Sequence, residues 1–161
     1  MVKISNAGTK RLSLAGLIAF RPGAAPRVRL IHRCRVYHGW KNEPKGFDEH
    51  GYIRLLDAAH QQLRAPIVLV WDNLNTHKSA LMRRLIAARE WLTVFYLPTT
   101  APELNPVEGV WAVMKSGLVN LVKREIDQLR DIVKHRLRCM QYRPELLAGL
   151  LAKTGLDPRP P

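Results

Sequence analysis

Two carboxylates stand where this sequence could do chemistry. Asp72 follows directly on the unbroken apolar run "IVLVW" (67–71), and Glu108 lies in "PTTAPELNPVEGVW" (98–111), a proline-rich loop running into an amphipathic helix. Each has an ordinary structural explanation. "DNLN" is rich in turn formers, so Asp72 alone would read as a turn residue. With Asn105 as N-cap and Pro106 at the first helical position, Glu108 falls at the third, close to capping-box spacing and typically worth about 1 kcal/mol. What a cap does not explain is the convergence. The run 67–71, the helical stretch "HKSALMRRLIAAREW" and the run "LTVFYLP" form a βαβ unit, whose crossover is right-handed and whose strands are parallel. Their carboxyl ends share one sheet edge, where open α/β sheets place their sites. The loop leaving the second strand therefore carries Glu108 towards Asp72. Two hard oxygen ligands on a basic chain suit Mg²⁺-dependent phosphoryl chemistry, with a substrate phosphate completing the metal's shell. Glu103 is the rival carboxylate, in the loop and less directed.

The elements that must hold these groups are legible from periodicity. "RLSLAGLIAF" (11–20) and "RVRLIHRCRVY" (27–37), separated by "RPGAAP", read as an antiparallel hairpin. In the second strand Val28, Leu30, Cys34 and Val36 alternate with Arg27, Arg29, Arg33 and Arg35, a basic face that suits solvent or phosphates. Tyr52, Leu55, Leu56, Ala59 and Leu63 recur at helical spacing, with Asp48 as cap and Pro66 as stop. The run 67–71 reads as a strand buried on both faces. A helix from Asn105 or Pro106 carries Val107, Trp111, Met114, Leu118 and Leu121 in one stripe, with Glu108 and Lys115 together on its flank. The last helix carries Ile126, Leu129, Val133, Leu137 and Met140 and ends at Arg143-Pro144. The expected organisation is one domain over 1–156 and a frayed tail at 157–161.

Charge defines the partner class. Twenty-six Lys and Arg against thirteen Asp and Glu leave +13 along 161 residues, with a pI near 10.5, the footprint of a chain that binds nucleic acid. Hydrophobic content of 47% and four tryptophans exclude disorder, and no apolar run reaches membrane-spanning length. Cys34 and Cys139 are far apart, without CxxC or paired histidines, which points to neither zinc nor a disulfide framework but to a reducing cytosol.

"IVLVWDNLNTHKS" followed by "LTVFYLPTTAPELNPVEGVWAVMK" resembles the C-terminal part of DDE-superfamily transposases, in particular bacterial insertion-sequence relatives of the Tc/mariner group. The resemblance implies an RNase H-like α/β fold, a mixed sheet flanked by helices. It implies that Asp72 and Glu108, with thirty-five residues between them, are the second and third ligands of catalytic Mg²⁺ or Mn²⁺. Cleavage of a phosphodiester by activated water, then attack of the freed 3′-hydroxyl on target DNA, would be the activity. His77 matches the histidine of the family's DN…H pattern and would contact the scissile phosphate or orient Asp72; equally, it is a helix-start residue. Lys78, Arg83, Arg84 and Lys115 would bind the DNA backbone, or serve only as solvated charges. The implied partners are transposon ends, target DNA and a second copy, in a bacterial, cytoplasmic, nucleoid-associated setting.

One part of the family pattern is missing. Its first catalytic Asp sits on the first strand of the meander, but residues 1–42 hold nine Lys or Arg and no Asp or Glu. The expectation is two strands before the first helix, with the first strand, its Asp and the end-recognising helix-turn-helix modules absent. Two readings remain: a transposase catalytic domain, or an inactive DNA-binding remnant or subunit that needs an upstream N-terminal product.

Overall fold

The computed structural model describes residues 2–5, 10–22, 27–98, 101–118 and 125–156, which form two compact units, 1–46 with 106–161, and 47–105. The expected tail at 157–161, the middle of the hairpin turn and Leu121 lie outside the described residues.

The first unit is built on an antiparallel sheet of β1 (Val2–Ser5), β2 (Arg11–Phe20) and β3 (Val28–Tyr37), in that order. The hairpin is as expected, with Arg11 opposite Tyr37 and Phe20 opposite Val28. The expectation of only two strands before the first helix is corrected by β1, which pairs Val2 with Leu14 and Ser5 with Arg11. Four residues carry too little alternation to register as a strand, and β1 exists because β2 offers its free edge. Its sequence, VKIS, brings no carboxylate to the sheet.

Three helices pack on this sheet: α4 (Pro106–Ser116), α5 (Ile126–Gln141) and α6 (Pro144–Ala152). The core joins Leu12, Leu14, Val28 and Leu30 to Trp111 and Met114 of α4, Val133 and Leu137 of α5, and Leu147 and Leu151 of α6. The stripe read from α5 is buried, as are Trp111, Met114 and Leu118 of the stripe read from Pro106 onward, with Val107 half-buried and Val110 joining them. The sequence reading stopped at Arg143-Pro144, yet Pro144 opens α6, because proline's missing N–H costs nothing in a first helical turn. The Gln141 side chain donates to the Leu30 carbonyl (2.7 Å), fastening the end of α5 to β3.

The second unit contains α1 (Glu49–Leu63), β4 (Ile67–Trp71), α2 (Asn75–Lys78), α3 (Ala80–Ala87) and β5 (Leu92–Tyr96). Asp48 caps α1 by accepting from the Gly51 N–H at 2.7 Å, and α1 ends on Arg64 in the left-handed region (φ 51°). Strands β4 and β5 are parallel, pairing Ile67 with Leu92 and Trp71 with Tyr96, as the βαβ reading requires.

Two expectations change here. The single helix over "HKSALMRRLIAAREW" is two, because the Ser79 side chain accepts from the Met82 N–H (3.0 Å) and starts α3 afresh. Strand β4 is buried on one face only: Leu69 and Trp71 are covered, while Val68 and Val70 are exposed. An apolar run cannot by itself tell a doubly covered strand from this arrangement. Outside the ladder, Arg89 grips Asp57 of α1 through Nε–Oδ1 (2.6 Å) and Nη2–Oδ2 (2.9 Å), a two-pronged pair that ties the end of α3 to α1.

Candidate active site around Asp72

The ladder between β4 and β5 runs one bond beyond Trp71, where the Leu97 N–H donates to the Trp71 carbonyl at 2.8 Å. Asp72 is therefore the first residue past a firmly held strand end. The Asn73 side chain turns back to donate to the Leu97 carbonyl, closing the mouth between the two strands.

Five residues on, in α2, His77 returns to Asp72. Its Nδ1 lies 2.8 Å from Asp72 Oδ1 and 3.1 Å from the Asp72 carbonyl oxygen. The carboxylate contact is the shorter, while the carbonyl is the better aligned hydrogen-bond acceptor. Both neighbours are acceptors, which makes Nδ1 the proton-bearing nitrogen. The hydrogen bond from His77 holds the Asp72 carboxyl below its ordinary range, outweighing the opposing effect of burial.

An aromatic cage fixes the imidazole. His77 is 5% exposed, stacks on Trp71 (centroids 3.9 Å, planes 3° apart) and meets Tyr52 edge-on at 4.6 Å. The Tyr96 hydroxyl donates to the His77 carbonyl at 3.0 Å. Burial, aided by the nearby Asp72 charge, pushes the Tyr52 hydroxyl up to about 12. His77 lies in the short helix Asn75–Lys78, as its reading as a helix-start residue has it, and its buried ring sits beside the Asp72 carboxylate. The sequence reading missed Tyr52, Trp71 and Tyr96 as parts of the site; a tryptophan directly before the aspartate was the available signal.

Lys78 ends α2, and Arg83 and Arg84 lie in α3; Lys78 and Arg83 are exposed. The Arg83 guanidinium donates to the Lys78 carbonyl (2.6 Å), bracing the turn between the two helices. Glu108 belongs to the other unit, in the exposed first turn of α4, where a negative charge suits the helix N-terminus. Lys115 lies seven residues on, on the same flank and exposed. Glu103 is exposed in the turn Pro102–Leu104.

Among the described residues no three His, Cys, Asp or Glu side chains gather into a ready-made metal cluster. The donor chemistry nonetheless fits a hard divalent cation. Asp72 Oδ1 is enclosed against His77 while the side chain stays 35% exposed, which leaves the second oxygen of an ionised carboxylate open. Glu108 presents a carboxylate to solvent. Mg²⁺ and Mn²⁺ take such oxygens together with water and phosphate.

An antiparallel meander and a parallel strand pair flanked by helices, with a carboxylate at the end of a parallel strand, are the elements of an RNase H-like fold. The family model for DDE superfamily endonucleases matches residues 43–133, from the loop after β3 into α5, and the chain belongs to that family. It is similar over 72 residues, at 35% identity, to the uncharacterized protein y4pE/y4sA of Sinorhizobium fredii (strain NBRC 101917 / NGR234), covering 44% of this chain and about half (48%) of that relative. Among solved structures it is similar to the Mos1 transposase catalytic domain with raltegravir and Mn (TM-score 0.55, 14% identity, 90% of this chain and 84% of that one). The Mos1 mariner catalytic domain alone matches with a TM-score of 0.52 at 14% identity, over 91% and 82% of the two chains. The Mos1 paired-end complex with the left transposon end matches at 0.54 and 13% identity, over 89% of this chain and 55% of that one. These likenesses establish the RNase H-like fold of the transposase catalytic domain.

Proposed function

We propose that this chain cuts and joins DNA ends in a metal-dependent reaction, with Asp72 and Glu108 as the protein's ligands for Mg²⁺ or Mn²⁺. The observation that carries the reading is the ionised Asp72, held rigid by His77 at the carboxyl end of β4 in a member of the DDE endonuclease family. The bound ion would supply activation of water or a 3′-hydroxyl and neutralisation of the charge on the leaving oxygen. Asp72 contributes a fixed negative oxygen; His77 keeps it fixed and ionised; Lys78 and Lys115 hold phosphates as point charges, and Arg83 and Arg84 through their planar guanidinium groups. The likeness to a Mos1 complex with a transposon end supports transposon-end DNA as the substrate, to which the reading adds target DNA and a second copy of the chain as partners. Incubation of supercoiled plasmid and end-bearing duplex with Mg²⁺ or Mn²⁺ tests the reading: nicking and joining are expected, and loss of both in Asp72→Ala and Glu108→Ala while DNA binding persists.

One observation favours a second reading. Residues 1–42 hold no Asp or Glu, so the family's first catalytic Asp is not supplied by β1, β2 or β3. On that reading the chain binds DNA without cutting it and becomes active with an N-terminal product that bears the missing aspartate. Binding without nicking, with nicking restored by adding such a segment, is its expected signature.

A further inference from the structure

An exposed, stacked pair of aromatic rings lies in the first unit, just past the end of β3. Trp40 is 69% exposed there, in a loop outside the unit that contains Asp72. A large apolar ring kept in water, where burial would stabilise it, calls for an explanation beyond packing.

The loop around it is firmly built. The Glu43 carboxylate accepts from three consecutive backbone N–H groups, those of His38 (2.7 Å), Gly39 (3.0 Å) and Trp40 (3.2 Å). Gly39 makes this possible at φ 91°, a conformation that a side chain would strain. The His38 ring lies flat against the Trp40 ring, with centroids 4.5 Å apart and planes 14° apart. Carboxylates pin that imidazole from both sides, Glu43 Oε1 at Nδ1 (3.2 Å) and Asp127 Oδ2 at Nε2 (3.6 Å). One face of the indole is therefore backed by His38, and the high exposure leaves the other to solvent. The nearby acids are already engaged: Glu43 by the loop and Asp127 by His38 and Arg130 (2.7 Å). Lys41 and Lys45 stand exposed on the same loop, and Arg33 is exposed on β3.

A pre-stacked, rigid aromatic face beside lysines, on a chain of +13, has the chemistry of a platform for unpaired nucleobases. We propose that Trp40, backed by His38 and held by Glu43, stacks on an exposed base of single-stranded DNA, with Lys41 and Lys45 taking the adjoining phosphates. This rests on the reading that DNA is the partner, and adds that the protein grips strands whose bases are unpaired. A duplex keeps its bases stacked on one another and has no free face to offer except at a melted end.

Binding of an oligothymidylate and of a duplex of equal length, without divalent metal, by the full chain and by Trp40→Ala and Trp40→Phe, tests the proposal. The expected result is that Trp40→Ala weakens single-strand binding about tenfold, the effect of losing one base–aromatic stack. Duplex affinity should change less than about twofold, and Trp40→Phe should recover most of the loss by keeping a ring. Quenching of tryptophan emission by the oligothymidylate should fall sharply in Trp40→Phe. Trp71 and Trp111 are buried and should not respond, and half-buried Trp91 has one ring face covered by His60 (centroids 4.1 Å). If Trp40→Ala weakens both DNAs equally, or neither, while the parent chain binds DNA, the platform is overturned and the DNA-partner reading stands. If the parent chain binds neither DNA, both fall.

Discussion

At the scale of single residues, the site depends on one histidine whose surroundings leave it no choice of direction. Trp71 and Tyr52 enclose the His77 ring, and its Nδ1 proton faces Asp72. His77→Ala should reduce DNA cleavage as Asp72→Ala does, but with a difference: raising the Mn²⁺ concentration should restore part of the activity of His77→Ala and none of Asp72→Ala. A cleavage assay across metal concentrations checks this. The same pair makes a pH prediction. Asp72 has a folded-state pKa below its ordinary 3.8, so its contribution to stability is present above that value and lost as the pH falls through the lower folded value. In His77→Ala that acid-side loss should be smaller, because the folded pKa moves back towards the unfolded one. Acid unfolding of the two proteins, followed by circular dichroism, is the measurement.

Among the elements, the break between α2 and α3 shows how one side chain divides a helix. Ser79 is β-like in its backbone (φ −61°, ψ 156°) and supplies the Met82 N–H with a partner. Ser79→Ala should cost about 1 kcal/mol, as loss of an N-cap does. That lowers the melting temperature by roughly 2–4 °C in a protein of this size. A second prediction concerns β2 and α4. A Cβ at Gly16 would come within 3.0 and 3.2 Å of the Trp111 ring, which is 1% exposed and cannot swing away. Gly16→Ala should destabilise by about 1–3 kcal/mol, the usual effect of overpacking. Adding Trp111→Phe should relieve part of that loss, and thermal melts of the single and double variants give the coupling between them.

Over the whole molecule, the proposed DNA association should depend on summed charge more than on any single side chain. With +13 spread through the chain, DNA binding should weaken steeply with salt, on the order of a hundredfold between about 50 and 200 mM if four phosphates are engaged. Replacing Lys78, Arg83 and Arg84 together by alanine should flatten the salt dependence, by about one unit of slope for every phosphate that the variant no longer neutralises. Fluorescence anisotropy at several salt concentrations decides it. No helix among the described residues is long and apolar enough to cross a membrane.

What the sequence determined by itself was whatever repeats or caps locally. The β2–β3 hairpin, the Asp48 cap of α1, the parallel pairing of β4 with β5 and the buried stripes of α4 and α5 each follow from spacing that only one conformation satisfies. The positions of Asp72 and Glu108 at element ends were legible for the same reason. Tertiary structure decided what depends on a distant neighbour. Strand β1 is too short to declare itself and forms on the edge that β2 provides. Val68 and Val70 look as buried as Leu69 in the sequence, but only one face of β4 is covered. His77 lies at a helix start, as its sequence position allows, but its place beside Asp72 arises because Trp71, Tyr52 and Tyr96, drawn from three separate elements, meet around it. Periodicity reports which side of an element is apolar; it carries no information about which other element arrives there.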